Sequence, residues 1–220
     1  MGKITTVLFD FDGTIMDTNG VIIDSWQHTF RTLTGKEGRE EDIIRTFGEP
    51  LSYTMEKTFP DIPVEEAIGV YRSYHWDNFG ERITVFPGIV ELLEQLKVRG
   101  YSLGLVTSRL KGTTMEGLEK YRLEHFFDAM VTCDDTDRHK PDPEPILIAL
   151  ERLGSAPEES VMVGDTRFDV LCARNAGVAS VLVAWQMAMS QEEISGPLGP
   201  DHYIETPEEL LTILEGEKGE

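Results

Sequence analysis

Five short apolar runs, each ending in a polar or glycine-containing turn, constrain the fold of this chain more than any other feature. Their sequences are ITTVLF, YSLGLV, DAMVT, SVMVG and ASVLVA. They lack the strict alternation of a half-exposed strand, and continuous apolar runs of this length are typical of strands buried on both faces of a parallel sheet. The segments between them have helical periodicity. The sequence therefore predicts an α/β fold, with a parallel sheet flanked by helices.

Four helices are predicted between these strands, and three of them end at a glycine that can form a left-handed C-cap. The helices are Ile89 to Arg99, Gly112 to Tyr121, Glu144 to Leu153 and Asp169 to Ala176. The glycines are Gly100, Gly154 and Gly177. Toward the C-terminus we expect a surface loop, a short strand and a last helix, at Met187 to Pro200, His202 to Ile204 and Pro207 to Leu214.

One long interval breaks the alternation of strands and helices. Val21 to Ile83 has helical periodicity and acid-rich turns but no convincing strand. We interpret it as an all-helical insertion after the first strand. Its apolar residues at helical spacing, such as Trp26 and Phe30, are expected to pack in its own interior.

The charge balance excludes some classes of partner. Acidic residues outnumber basic ones by 40 to 20, so the surface field repels polyanions, and neither nucleic acid nor membrane is expected as a partner. No apolar stretch approaches the roughly 18 residues needed to cross a bilayer. We expect a cytoplasmic protein that is a monomer or a homodimer.

The first strand leads directly into Asp10-Phe11-Asp12-Gly13-Thr14. Ligands of open α/β sheets bind at the carboxyl ends of strands, and alternation along an extended segment points Asp10 and Asp12 to the same side. Two carboxylates this close repel each other unless a cation or a shared proton relieves them. Asp-Gly-Thr alone also fits a turn followed by a helix cap, but its position after a buried strand favours a functional site.

Four motifs, taken in order, resemble the haloacid dehalogenase (HAD) superfamily of phosphatases and phosphomutases. VLFDFDGTIMDT is similar to the family's first motif, and YSLGLV ends in Thr107 and Ser108, as its hydroxyl-bearing second motif does. Lys140 in HKPDPEP matches the lysine element. VMVGDTRFD matches the acidic fourth motif through Asp165 and Asp169. The resemblance spans nearly the whole of the predicted core.

This resemblance implies covalent catalysis on a small phosphorylated compound. Asp10 is expected to attack phosphorus and form an aspartyl phosphate. Asp12 is expected to act as general acid toward the leaving oxygen, and then as base for the water that cleaves the intermediate. Mg²⁺ is the implied cofactor, with the Asp10 carboxylate, the Asp12 backbone carbonyl and Asp165 as its ligands.

The remaining motif residues are implied to bind phosphate or to support the metal. Gly13, Thr107, Ser108 and Lys140 are expected to contact the phosphate, and Thr107 and Lys140 are also assigned to catalysis. Asp169 is expected to support the water shell of the metal or to orient Lys140. Three alternatives stay open: Ser108 as a helix N-cap, Lys140 as a solvated surface lysine, and Asp169 as a first-turn helix charge.

The family also carries a helical cap that closes over the core site, which fits the helical insertion. The implied boundaries are a Rossmann-like core at 1–16 and 84–220, and a cap at 17–83. The segment Thr46 to Leu51 resembles the specificity loop of the cap, although a routine turn between cap helices fits it as well. The candidate substrate contacts in this loop are Gly48, Glu49 and Pro50.

The segments DTNGVIIDSWQHTF, FGEPL, DDTDRHKPDPEPI and VLVAW together resemble bacterial inorganic pyrophosphatases related to phosphoglycolate phosphatases. The expected substrate is accordingly pyrophosphate or phosphoglycolate. A β-phosphoglucomutase-like enzyme is the nearest alternative. Such enzymes carry a cap histidine shortly after the nucleophile and a cap arginine beside the specificity loop. Here Ile22 and Glu49-Pro50-Leu51 occupy those places, although Arg45 lies near the loop.

Two further alternatives are less compatible with the motifs. A dehalogenase keeps the aspartyl nucleophile but does not need Asp12 and Asp165 for metal binding. A non-catalytic interaction protein with this fold is expected to lack one of the catalytic elements, and this sequence contains all of them.

Overall fold

The computed structural model describes residues 3–216, which form an α/β core around a parallel sheet and a helical insertion. The strands are β1 (Thr6–Phe9), β2 (Met16–Asp17), β3 (Thr84–Val85), β4 (Ser102–Val106), β5 (Ala129–Val131), β6 (Ser160–Gly164), β7 (Ala179–Val183) and β8 (His202–Ile204). The α-helices are α1 (Asn19–Thr34), α2 (Glu40–Ile44), α3 (Leu51–Thr58), α4 (Val64–Arg82), α5 (Ile89–Val98), α6 (Lys111–Tyr121), α7 (Glu144–Leu153), α8 (Arg167–Ala176), α9 (Gln191–Ser195) and α10 (Glu209–Gly216). Short 3-10 helices lie at Glu124–Phe126, Cys133–Asp135 and Pro157–Glu159.

The main sheet has six parallel strands in the order β5-β4-β1-β6-β7-β8. Alternate residues of the central strand β1 pack on opposite faces. Val7 and Phe9 join one hydrophobic cluster with residues of α5, α6 and α10, whereas Leu8 joins another with residues of α7 and α8. Each such side chain contributes about 1.5–3 kcal/mol when buried. Because both faces are covered, the strand sequences are continuous apolar runs, and the predicted fold class is confirmed.

The predicted helices of the core are present, with small differences in their bounds. Helix α8 begins at Arg167, two residues before the predicted start. The Thr166 side chain accepts a hydrogen bond from the backbone of Phe168, while the Asp169 carboxylate accepts one from the Thr166 backbone. This capping box stabilises the two additional residues of the first turn.

Helices α1 to α4 lie between β2 and β3, as the predicted helical insertion requires. They share a hydrophobic cluster that includes Trp26, Met55 and Tyr71. The short antiparallel pair of β2 with β3 was not predicted, because two residues per strand are too few to show periodicity. The division into a core and a cap at 17–83 stays a prediction, and residues 1, 2 and 217–220 of the predicted core lie outside the described residues.

The prediction of a loop over Met187 to Pro200 is wrong for five of its residues, because α9 lies within it. Ser190 and Glu193 form a capping box at its start, and their spacing is visible in the sequence. Helix α10 begins at Glu209, two residues later than predicted. Within residues 3–216, no helix combines the length and the apolar character needed to span a membrane.

Candidate active site

Three neighbouring strands deliver polar side chains to the same edge of the sheet. Asp10 directly follows β1, Thr107 directly follows β4 and Asp165 directly follows β6. Strand β1 pairs with both β4 and β6, so the three residues are brought together. All three are at least nine-tenths buried, and they line one cavity.

Lys140 also lines this cavity and binds two of the predicted acidic residues. Its Nζ is 2.9 Å from Oδ1 of Asp10 and 2.5 Å from Oδ1 of Asp169. It also donates a hydrogen bond to the carbonyl of Val106. Burial disfavours the charged ammonium, but the two carboxylates more than offset this and raise the pKa of Lys140 above its ordinary value. The alternative of a solvated surface lysine is wrong, since only 2% of the residue is exposed.

Asp10, Asp165 and Asp169 form a buried acidic cluster, in which one carboxylate oxygen from each residue lies within 4.8 Å of the other two. Burial raises the pKa of Asp10 to about 7, against the opposing charge of Lys140. Burial and the neighbouring carboxylates raise the pKa of Asp165 well above its ordinary value. Within residues 3–216, Oδ1 of Asp165 has no hydrogen-bond partner. These are the properties of carboxylates arranged to share a cation.

Gly13 provides the space for this cluster. Its φ of 70° is in the left-handed region, and a Cβ at this position would collide with the carboxylate of Asp165. The contact of Gly13 with phosphate stays a prediction.

Asp169 makes two sets of contacts in the structure, one with the first turn of α8 and one with Lys140. One carboxylate oxygen caps the first turn of α8, where it accepts hydrogen bonds from the backbone and side chain of Thr166. The other oxygen binds Lys140. Asp169 therefore pairs with Lys140 and caps the helix, whereas its orientation of Lys140 for catalysis and its support of a metal-bound water stay predictions.

The Asp12 side chain binds a different cation, Arg109. Arg109 Nε donates to both carboxylate oxygens at 3.1 and 2.9 Å, and Nη2 donates to Oδ1 at 2.7 Å. Burial would raise the pKa of Asp12, but Arg109 more than offsets it and holds this pKa below its ordinary value. Asp12 is thus an ionised carboxylate in this arrangement.

Arg109 also reaches the helical insertion, where it meets His75 of α4. Arg109 Nη1 donates to His75 Nε2 at 3.0 Å, so the imidazole proton is on Nδ1, which donates to Ser25 Oγ at 3.2 Å. Ser25 in turn donates to the carbonyl of Val21 at 2.5 Å. Burial, reinforced by the charge of Arg109, lowers the pKa of His75 to about 4.

The cavity between the sheet edge and the insertion has a volume of about 250 Å³. Pockets for drug-sized ligands measure roughly 300–1,000 Å³, so this cavity suits a small compound. All three candidate residues of the specificity loop line it, namely Gly48, Glu49 and Pro50.

The same loop is docked on the first turn of α8. Glu49 Oε1 is 3.3 Å from Arg167 Nη2, and Oε2 accepts a hydrogen bond from Thr54. A Cβ on Gly48, whose φ is 81°, would lie 2.7 Å from Thr166 Oγ1 and 2.8 Å from Phe168. The insertion therefore lies directly against the acidic motif of the core.

Thr107 and Ser108 lie between β4 and α6 and both line the cavity. Thr107 Oγ1 accepts a hydrogen bond from the backbone of Arg109 at 3.2 Å. The alternative of Ser108 as a helix N-cap is wrong, because α6 begins at Lys111 and Leu110 is its N-cap residue. Among the described residues, the buried Ser108 Oγ has no partner.

Sequence reasoning missed Arg109 and His75. Arg109 follows Thr107 and Ser108 at a strand end, so its position was a usable signal. His75 is four residues from Tyr71 and from Phe79, and this spacing places it on the buried aromatic face of α4. The local sequence does not indicate that His75 contacts a residue of the core.

The fold and the motifs predict the family of enzymes to which this chain belongs. Comparison with known proteins establishes that family. Residues 7–183 match the family of haloacid dehalogenase-like hydrolases. The chain belongs to this family. The match extends from β1 to β7 and so includes the whole buried site.

Individual similar proteins indicate which subgroups of this enzyme family the chain resembles. The chain is 39% identical to pyrophosphatase PpaX of Bacillus velezensis. The alignment spans 214 residues and covers 96% of this chain and 96% of that protein. A haloacid dehalogenase-like hydrolase from Streptococcus pneumoniae has a TM-score of 0.85 at 28% identity, over 97% of this chain and 99% of that one. A proposed phosphoglycolate phosphatase from Lactobacillus plantarum has a TM-score of 0.82 at 26% identity, over 96% and 100%. The predicted enzyme class, a HAD-type phosphatase similar to these two subgroups, is confirmed.

Proposed function

We propose that the protein hydrolyses a small phosphorylated compound, pyrophosphate or phosphoglycolate, through an aspartyl phosphate on Asp10. The observation that carries this proposal is the buried Asp10 carboxylate, which is paired with Lys140 and lines a cavity of about 250 Å³. The relatives named as a pyrophosphatase and as a proposed phosphoglycolate phosphatase support the substrate class.

In this mechanism a carboxylate oxygen of Asp10 attacks phosphorus, and the bond from phosphorus to the leaving oxygen breaks. Water then hydrolyses the aspartyl phosphate and releases inorganic phosphate. Lys140, in contact with Asp10, reduces the repulsion between the nucleophile and the anionic phosphoryl group. The hydroxyls of Thr107 and Ser108 are positioned to donate hydrogen bonds to phosphoryl oxygens, since both residues line the cavity.

The acidic cluster fits a magnesium ion. We propose the Asp10 carboxylate, the Asp12 backbone carbonyl and the Asp165 carboxylate as its ligands. Oxygen is the donor that Mg²⁺ prefers, and Asp165 Oδ1, which has no hydrogen-bond partner within the described part of the chain, is suitable for this function. When bound, Mg²⁺ would favour the ionised carboxylates and neutralise charge on the phosphoryl group.

Asp12 is proposed to exchange protons with the leaving group and with water. Its pairing with Arg109 keeps it ionised, which suits a base that accepts the proton of the hydrolytic water. Proton delivery to the leaving group requires the protonated form. A phosphate leaving group is less basic than an alkoxide and depends less on that proton, which is consistent with pyrophosphate as a substrate.

Residues 17–83 are proposed to act as a cap that excludes bulk water and contacts the substrate. The docking of Glu49 on Arg167 and of His75 on Arg109 supports this function, because both pairs join the insertion to the core. A cytoplasmic location and a monomeric or homodimeric state stay predictions.

The direct test is a phosphate-release screen with purified protein and Mg²⁺. It includes pyrophosphate, phosphoglycolate, sugar phosphates and nucleotides. We expect pyrophosphate or phosphoglycolate to have the highest kcat/KM, and EDTA to abolish release until Mg²⁺ is restored. Conversion of β-glucose 1-phosphate to glucose 6-phosphate as the main activity would favour the mutase instead.

A further inference from the structure

The Arg109 guanidinium is held rigidly between the core and the insertion. It pairs with Asp12 on one side and donates to His75 on the other. Its planar group lies 4.3 Å above the ring of Phe79, and only 7% of the side chain is exposed. A guanidinium fixed on two sides and stacked on a third has a defined orientation in the cavity.

The pairing leaves donors of Arg109 available. A guanidinium has five N–H groups, and the bonds to Asp12 and His75 use one on each of the three nitrogens. Two N–H groups, one on each terminal nitrogen, have no acceptor among residues 3–216. Arginine binds carboxylate and phosphate through such groups, and leaving them unpaired in a buried site is unfavourable.

The location of Arg109 matches the second anionic group of a small substrate. Its backbone N–H donates to Thr107 Oγ1 at 3.2 Å, so it is a direct neighbour of the proposed phosphate-binding hydroxyl. Lys140 is already paired with two carboxylates. Arg72, an exposed residue that lines the same cavity, adds positive charge. The ring of His75 orients the guanidinium and, as a neutral acceptor, adds no competing anion.

We propose that Arg109, oriented by His75, binds the second anionic group of the substrate, a phosphate or a carboxylate, while the first phosphate reacts at Asp10. The site thereby selects small compounds with two anionic groups over phosphate esters that carry no second charged group. This inference rests on the proposed function and adds a specificity-determining residue to it.

A matched pair of substrates tests it. Phosphoglycolate and ethyl phosphate differ by a carboxylate in place of a methyl group, and kcat/KM is measured for both with Mg²⁺. In Arg109→Gln, the preference for phosphoglycolate over ethyl phosphate should fall by roughly 10- to 100-fold. His75→Leu should reduce the same preference by a smaller factor. Arg39→Gln, the same change at an exposed position of the insertion, is the control and should keep the preference of the wild type.

The ratio of kcat/KM for phosphoglycolate to kcat/KM for ethyl phosphate distinguishes a loss of substrate recognition from a general loss of activity. If both rates of Arg109→Gln fall together and the preference is unchanged, Arg109 only positions Asp12 and the inference is overturned. Arg109→Lys keeps the positive charge but loses the paired N–H donors of the guanidinium. Its preference for phosphoglycolate over ethyl phosphate should be intermediate, which keeps the test available if Arg109→Gln does not fold. Absence of phosphate release by the wild type from every compound of the substrate screen, pyrophosphate included, would refute the proposed function and this inference with it.

Discussion

The buried histidine of the insertion should make folding stability depend on pH in a predictable direction. The pKa of His75 is lowered from 6.5 to about 4 in the folded protein, with burial as the main cause. At a pH between these values, the unfolded chain binds a proton that the folded protein does not. The stability contributed by neutral His75 is therefore complete above pH 6.5 and is lost as the pH falls toward 4.

The magnitude follows from the two pKa values. Lowering the pH from 7 to 5 should remove about 2 kcal/mol of unfolding free energy through His75 alone. Other groups, including Asp10, titrate in the same range. Because they are present in the wild type and in His75→Gln, their contribution largely cancels when the two proteins are compared.

The assay is urea unfolding of both proteins at pH 7 and pH 5, with EDTA to keep them free of metal. The wild type should lose about 2 kcal/mol more than His75→Gln over this interval. His28→Gln removes a histidine from the same insertion that contacts Tyr74 rather than Arg109, and so controls for loss of a histidine as such. Equal losses in the wild type and His75→Gln would refute the assignment of His75 as a buried neutral acceptor.

Three further substitutions test the site. Asp10→Asn should abolish phosphate release because an amide is a poor nucleophile, whereas Asp77→Asn on the exposed face of α4 should not; more than trace activity in Asp10→Asn would exclude Asp10 as nucleophile. Lys140→Met should lower the unfolding free energy by about 3 kcal/mol, since it leaves buried carboxylates uncompensated, and an unchanged urea midpoint would contradict the buried ion pair. Gly48→Ala should destabilise the protein by about 2 kcal/mol and raise KM for the preferred substrate, because its Cβ would clash with Thr166. Gly69→Ala, where a Cβ meets nothing within 4 Å, is the control. Wild-type stability and KM in Gly48→Ala would argue against a docked loop.

Much of the core could be predicted because its determinants are local. The strand β1 is recognisable from a continuous apolar run, and Asp10 occupies the site edge because it is the next residue after that strand. The start of α8 was missed by two residues, since the capping box at Thr166 outweighs the weaker apolar periodicity there. Helix α9 was missed because five residues within a Gly- and Pro-containing segment have little periodicity.

The sequence by itself determined the fold class, the family and the residues that lie at the strand ends, because parallel strands bring the residues that follow them to one edge of the sheet. Only the tertiary structure decided which charges pair there. Arg109 and His75 are 34 positions apart, and Glu49 and Arg167 are 118 apart. These contacts depend on how the insertion packs against the core, a long-range property that no local pattern of residues encodes.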